Sequence, residues 1–171
     1  MVMLWVRFIH VFFCLSMNSL NHVLLASHGT VGAQAAEQMA IRMCSSGAKL
    51  HHLIVVPSLW KGMTGDDWLN NGSTRDTYRR YLEDELGREV DEHCERVSKR
   101  AEERKLEYSS EIVYGEPDKC LINSCKKESF DLVIMGSPRP KEVKGLRSRM
   151  KTESLTHTLD IPLLIVPYPG S

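Results

Sequence analysis

The chain has 171 residues, 42% hydrophobic and 26% charged, with 22 Lys and Arg against 22 Asp and Glu. That length suits one α/β domain with a sizeable core. Zero formal net charge leaves no global field to draw in nucleic acid or an anionic membrane, so any electrostatic function has to be local.

Residues 1–16 are apolar apart from Arg7 and His10. The uninterrupted run Phe8 to Leu15 is too short to span a bilayer, and no basic start or small-x-small cleavage site marks a signal peptide. Met17 opens a polar stretch directly before the first strand. Residues 1–16 are therefore read as a start called too early, or as a disordered leader, with the domain proper at 17–171. The competing reading is a membrane-associating leader, and a membrane partner is expected only in that case.

His22 to Ala26 predicts strand one, followed by the loop Ser27-His28-Gly29-Thr30. Ala33 to Cys44 carries Ala36, Met39, Ala40 and Met43 at helical spacing and stops at Gly47. Leu50 to Val56 predicts strand two, closed by Pro57. Residues 58–71, with Trp60 and Trp68, read as a folded-over excursion. Thr74 to about Glu103 is a long charged helix whose apolar stripe runs Tyr78, Leu82, Leu86, Val90, Val97; the opposite face, including Arg88 and Glu89, is a solvated one.

Leu106 to Val113 predicts strand three, and Asp118 to Lys127 a third helix after Gly115-Glu116-Pro117. Leu132 to Met135 is a continuous apolar run ending at Gly136-Ser137, the pattern of a strand buried on both faces. A short helix at Thr152 to Thr158 leads to strand five, Leu163 to Val166, fenced by Pro162 and Pro167. Strand and helix thus alternate five times, which predicts parallel strands with right-handed crossovers. Ligands in such sheets sit beyond the carboxyl ends of the strands, where the winding reverses. The loops after strands one and four have ligand-like composition. They share a crevice only if those strands are neighbours, which requires the order 3-2-1-4-5.

The five cysteines, Cys14, Cys44, Cys94, Cys120 and Cys125, are odd in number, lack a Cys-x-x-Cys and match no zinc spacing. They read as reduced packing thiols of a cytoplasmic protein. His51 and His52 are adjacent in a strand and so point to opposite faces, making no chelate. No metal site is expected. His28, at a strand's carboxyl end, suits either a ribose contact or a hydrogen bond to a neighbouring backbone carbonyl.

Four stretches carry a resemblance: Val23-Leu-Leu-Ala-Ser-His-Gly-Thr30, Leu53-Ile-Val-Val-Pro57, Tyr114-Gly-Glu-Pro117, and Asp131-Leu-Val-Ile-Met-Gly-Ser137 with Pro162-Leu-Leu-Ile-Val-Pro167. In this order the chain, from Asn21 to Pro167, resembles the universal stress proteins. The resemblance implies a single Rossmann-like three-layer α/β domain with a five-stranded parallel sheet in the order 3-2-1-4-5. It also implies a non-enzymatic role in stress response and a homodimer formed through Leu163, Leu164, Ile165 and Val166. An unidentified protein partner is compatible with it.

ATP-binding members of that family carry, after strand four, Gly, two residues, Gly, nine residues, Gly, then Ser or Thr. The matching positions here are Gly136, Arg139, Arg149 and Met150. Glycines in such a loop let backbone amides close on phosphate oxygens. Arg139 and Arg149 return side chains to both points, Met150 removes a hydroxyl, and Pro138 and Pro140 offer no N–H. Against this, Arg139, Lys141, Lys144, Arg147, Arg149 and Lys151 fall within one short stretch, and arginine holds phosphate through paired charge-assisted bonds. The stretch is either a solvated basic loop or an anion site built from side chains. The candidate residues for nucleotide or anion are Ser27, His28, Gly29, Val55, Gly136, Ser137, Arg139, Arg149 and Met150. No cofactor is required by the sequence, and ATP or another adenine nucleotide is the one the resemblance implies. No catalytic constellation is read. The alternative is an ATP-binding or ATP-hydrolysing member that uses basic side chains in place of the glycine loop.

Overall fold

Alternate residues of the central strands face opposite cores, and this fixes the architecture. On β1 (His22–Ala26) and β4 (Leu132–Gly136), Val23, Leu25, Leu132 and Ile134 enter one cluster, while Leu24, Val133 and Met135 enter another. All of these are buried. Such strands need helices on both faces. A computed structural model of the chain describes residues 20–27, 30–56, 72–140 and 150–170, with side chains described from residue 87 onward in the long helix.

The first face is covered by α1 (Val31–Met43) and α2 (Gly72–Glu103), the second by α3 (Pro117–Lys127) and α4 (Thr152–Thr158). With β2 (Lys49–Val56), β3 (Glu107–Tyr114) and β5 (Leu163–Val166), the strands form one parallel sheet in the order β3-β2-β1-β4-β5. Order, direction and three-layer arrangement agree with the sequence reading. The helix starts move earlier, to Val31 and Gly72, and β3 begins one residue later, at Glu107.

α1 buries a stripe of small residues, Gly32, Ala33, Ala36 and Ala40, with Ile41 and the charged Glu37 among them. Small side chains let a helix lie close to a sheet. On α2, Val97 and Ala101, four apart, join Leu50 and Leu106 in the same core. Tyr108 packs against that core, but further along this edge strand Ile112 and Tyr114 stand 42% and 76% exposed. Alternation puts Ile112 on the side of Tyr108, but it lies beyond the core that Val97 and Ala101 form there. The predicted excursion at 58–71 and the leader at 1–16 lie outside the described residues. Among the described residues, no helix is long and apolar enough to cross a membrane.

At the amino ends of the strands, Asp131 fastens β1 to β4. Its Oδ2 accepts the backbone N–H groups of Asn21 at 2.8 Å and His22 at 2.9 Å, while its own N–H donates to the His22 carbonyl. Two amides on one carboxylate oxygen make charge-assisted bonds, each weakened here by exposure to water. Asp131→Ala is expected to lower stability by about 1–2 kcal/mol, and Asp131→Asn by less because an acceptor remains. Urea unfolding of the three proteins at pH 7.5 measures the difference.

Candidate functional site

The winding of the sheet reverses between β1 and β4, which pair directly from Val23↔Leu132 to Ala26↔Met135. Their carboxyl ends bring Ser27 and the segment Gly136 to Pro140 to one end of the sheet, beside the first turn of α1. Ligand crevices of doubly wound sheets form at such a place.

Gly136 is held there by contact between backbones. A Cβ on it would lie 2.3 Å from the Gly32 carbonyl oxygen and 2.9 Å from the Ala33 nitrogen. Only glycine allows β4 and the first turn of α1 to touch. On the other side of this contact, a Cβ on Gly32 would meet the Ser137 carbonyl oxygen at 3.0 Å and the Tyr168 ring at 3.2 Å. The glycine that opens the phosphate pattern in the sequence thus has a packing duty of its own. The Ser137 N–H donates to the Val166 carbonyl at 2.8 Å, so the peptide after Gly136 is tied to β5.

Of the other candidates, Val55 and Met150 are half-buried against the second core, and Arg139 is partly exposed. His28, Gly29 and Arg149 lie outside the described residues, as do Lys141, Lys144 and Arg147. Ser27 is 2% exposed, and its hydroxyl is committed beneath the crevice.

That hydroxyl belongs to a buried polar cluster which the sequence reading missed. Ser27 Oγ donates to Glu37 Oε1 at 2.6 Å and lies 3.2 Å from His93 Nε2. His93 Nδ1 lies against Arg96 Nη2, and Arg96 Nη2 is 3.7 Å from Glu37 Oε2. A guanidinium only donates, so His93 Nδ1 accepts and the neutral ring carries its proton on Nε2. The donors then run in one direction: Arg96 to His93, His93 to Ser27, Ser27 to Glu37. The Arg96–Glu37 ion pair closes the cycle. Glu37 is wholly buried and its Oε2 takes no hydrogen bond, so its negative charge rests on this cycle.

Signals for the cluster were present in the sequence. Glu37 is four residues from both Ala33 and Ile41, which places it on the inner face of α1. His93 is four residues before Val97. The stripe traced as Val90 then Val97 leapt over it.

His52 adjoins the cluster, its ring 4.9 Å from that of His93 and edge-on to it. Its Nδ1 is 2.8 Å from the Tyr108 hydroxyl. Burial, and then the charge of His93, pull its pKa down to about 3, so His52 is neutral at any ordinary pH. Burial likewise pushes the Tyr108 phenol up. His51 faces the opposite layer, beside Ser109, Glu111 and Phe130. Burial raises the Cys44 and Cys125 thiols to about 11, which leaves them little thiolate and little reactivity.

Serine, histidine and glutamate in contact invite comparison with a nucleophilic triad, but the geometry differs. Ser27 and Glu37 both approach Nε2, and Arg96 occupies Nδ1, where the orienting carboxylate of a triad sits. Among the described residues no cluster of His, Cys, Asp or Glu is arranged to hold a metal.

The model of the universal stress protein family matches residues 20–167. No curated protein sequence matches the chain. Among solved structures, protein MJ0577, the subject of a structure-based assignment of biochemical function, is similar at 18% identity and TM-score 0.67, over 90% of this chain and 99% of its own. A universal stress protein family member from Burkholderia pseudomallei is similar at 17% identity and TM-score 0.60, over 89% and 99%. One from Arabidopsis thaliana, solved with AMP bound, is similar at 14% identity and TM-score 0.58, over 86% and 92%. At these identities the likeness is one of fold.

Two expectations follow from the site. Gly136→Ala forces the α1 turn off β4 and is expected to cost about 1–3 kcal/mol or more, as overpacking against unyielding backbone does; Gly32→Ala costs less, because its closest backbone contact, the Ser137 carbonyl oxygen, lies at 3.0 Å rather than 2.3 Å. Denaturant midpoints of the two variants test that ranking. His52 has a folded pKa far below its unfolded value of 6.5. The folded chain therefore binds fewer protons in between, and the stability, complete above pH 6.5, falls as pH drops toward about 3. The slope contributed is at most about 1.4 kcal/mol per pH unit. Denaturant midpoints at pH 7.5, 5.5 and 4.5 are expected to show it, with a flatter profile in His52→Gln.

Proposed function

Because the chain belongs to the universal stress protein family, we propose that it serves stress response without catalysis, in the cytoplasm, as a homodimer holding an adenine nucleotide or another anion in the crevice between β1 and β4. The observation that carries this reading is the adjacency of β1 and β4 at the reversal of winding, with the first turn of α1 abutting Gly136. It gives the loops after both strands a common crevice and supplies the amino end of a helix beside them. The AMP held by the similar Arabidopsis thaliana protein supports an adenine nucleotide as the first ligand to test.

Arg139, Arg149 and the lysines between them are the side chains that would hold the phosphate. They act as charged donors where the family's ATP-binding members use bare amides. Ser27 and Gly136 would border the crevice without binding through a side chain, since the hydroxyl of one is engaged and the other has none.

Strand β5 forms one edge of the sheet, and Leu163, Leu164 and Ile165 are only partly buried. Pairing this edge with its counterpart across a two-fold would cover both its apolar side chains and its unpaired backbone groups. Absence of turnover is the simplest reading of a site whose described serine is buried and directed at a carboxylate.

Native mass spectrometry of freshly purified protein, with thermal shifts in AMP, ATP and polyphosphate, tests this function. The expected result is a dimer mass, a Tm that rises with AMP or ATP as ligand linkage requires, and loss of that rise in Arg139→Ala/Arg149→Ala. Ile165→Asp is expected to give monomers. A Tm indifferent to all three ligands at millimolar concentration would refute the binding role, and phosphate release from ATP lost in the arginine variant would refute the non-catalytic one.

A further inference from the structure

The direction of the hydrogen bonds in the buried cycle has a consequence for acid. We infer that Glu37, Ser27, His93 and Arg96 form a proton-controlled latch between α1 and α2, in which protonating His93 expels Arg96 from the cluster. The inference is independent of whatever occupies the crevice.

In the neutral state, His93 accepts from Arg96 at Nδ1 and presents its Nε2–H to Ser27 Oγ at 3.2 Å and Glu37 Oε1 at 3.5 Å. A second proton must go to Nδ1, the one ring position without a hydrogen. That turns an acceptor facing a guanidinium into a donor facing a donor, and it sets two positive charges side by side. Glu37 cannot yield, being wholly buried with Oε1 fixed by Ser27. Arg96 can, because its side chain is 41% exposed. The imidazolium then neutralises Glu37 from 3.5 Å, and the guanidinium moves to water. One cation replaces another at a buried carboxylate, so the charge of the interior is conserved and its fastening to the helix surface is lost.

Charged and titratable groups face His93 from several elements. From α1 it faces Glu37; from β2 it faces His52, which burial keeps neutral. From its own helix it faces Arg96, with Cys94 turned toward Tyr108 of β3, whose phenol stays protonated. The latch also occupies a mechanically telling position, since His93 leads the buried stripe that Val97 and Ala101 continue along α2.

The test is ¹⁵N NMR of the histidine rings in the full chain, with amide hydrogen exchange corrected for intrinsic rates, from pH 8 to pH 5.5. At pH 8, His93 is expected as the Nε2–H tautomer. On acidification it becomes imidazolium, and protection of residues 92–97 falls about tenfold, the equivalent of one charge-assisted hydrogen bond. In Arg96→Gln the midpoint of His93 moves to higher pH, because no guanidinium opposes the proton; in Arg96→Lys it stays near wild type. An Nδ1–H tautomer at pH 8 overturns the proposal. So does a His93 that stays neutral to pH 5.5, a midpoint unmoved in Arg96→Gln, or protection that ignores pH. The tautomer is read on the wild-type protein, so it decides even if a variant fails to fold.

Discussion

Backbone against backbone, with no side chain between, is the contact that sets the rest of this molecule. At Gly136 the end of β4 touches the first turn of α1 so closely that a single Cβ has no room. That approach fixes how deep α1 lies on the sheet, and hence where its inner face points. Everything on that face follows, including the alanines packed over β1 and β4 and the carboxylate of Glu37 beneath Ser27. The opening of the crevice and the floor below it therefore share one determinant.

The floor is unusual in being charged. A wholly buried glutamate is costly unless its charge is matched and its oxygens are bonded. Here one oxygen has the Ser27 hydroxyl, and the other has a guanidinium that reaches in from a half-open position. Replacing such a cluster with packed hydrophobes is often neutral or stabilising in other proteins. What the polar version supplies here is a directional chain of donors joining three elements, β1, α1 and α2, which apolar packing would leave free to slide. His52 and Tyr108 extend the polar seam to β2 and β3 along the same face.

Much of the fold was legible in the residues. The apolar runs at Leu132–Met135 and Leu163–Val166 could only be strands of a covered sheet, and the need to bring two loops together dictated the strand order. The site was less legible, for physical reasons. Gly136 reads as a phosphate glycine because both duties demand a missing Cβ, and sequence cannot tell which neighbour needs the space. Glu37 and His93 were overlooked because a charged or polar residue on a helix is ordinarily assigned to solvent. Their burial becomes sensible only when the partner on another element is known, 56 residues away for this pair.

The long helix gives the cluster a reach beyond its size. At about 1.5 Å per residue, α2's 32 residues extend roughly 48 Å, while β2 beneath it, with eight, covers about 27 Å. His93, Val97 and Ala101 all fall in its last third. About 30 Å of helix runs on from His93 to Gly72. A tilt of roughly 5° about His93 would carry that far end by nearly 3 Å.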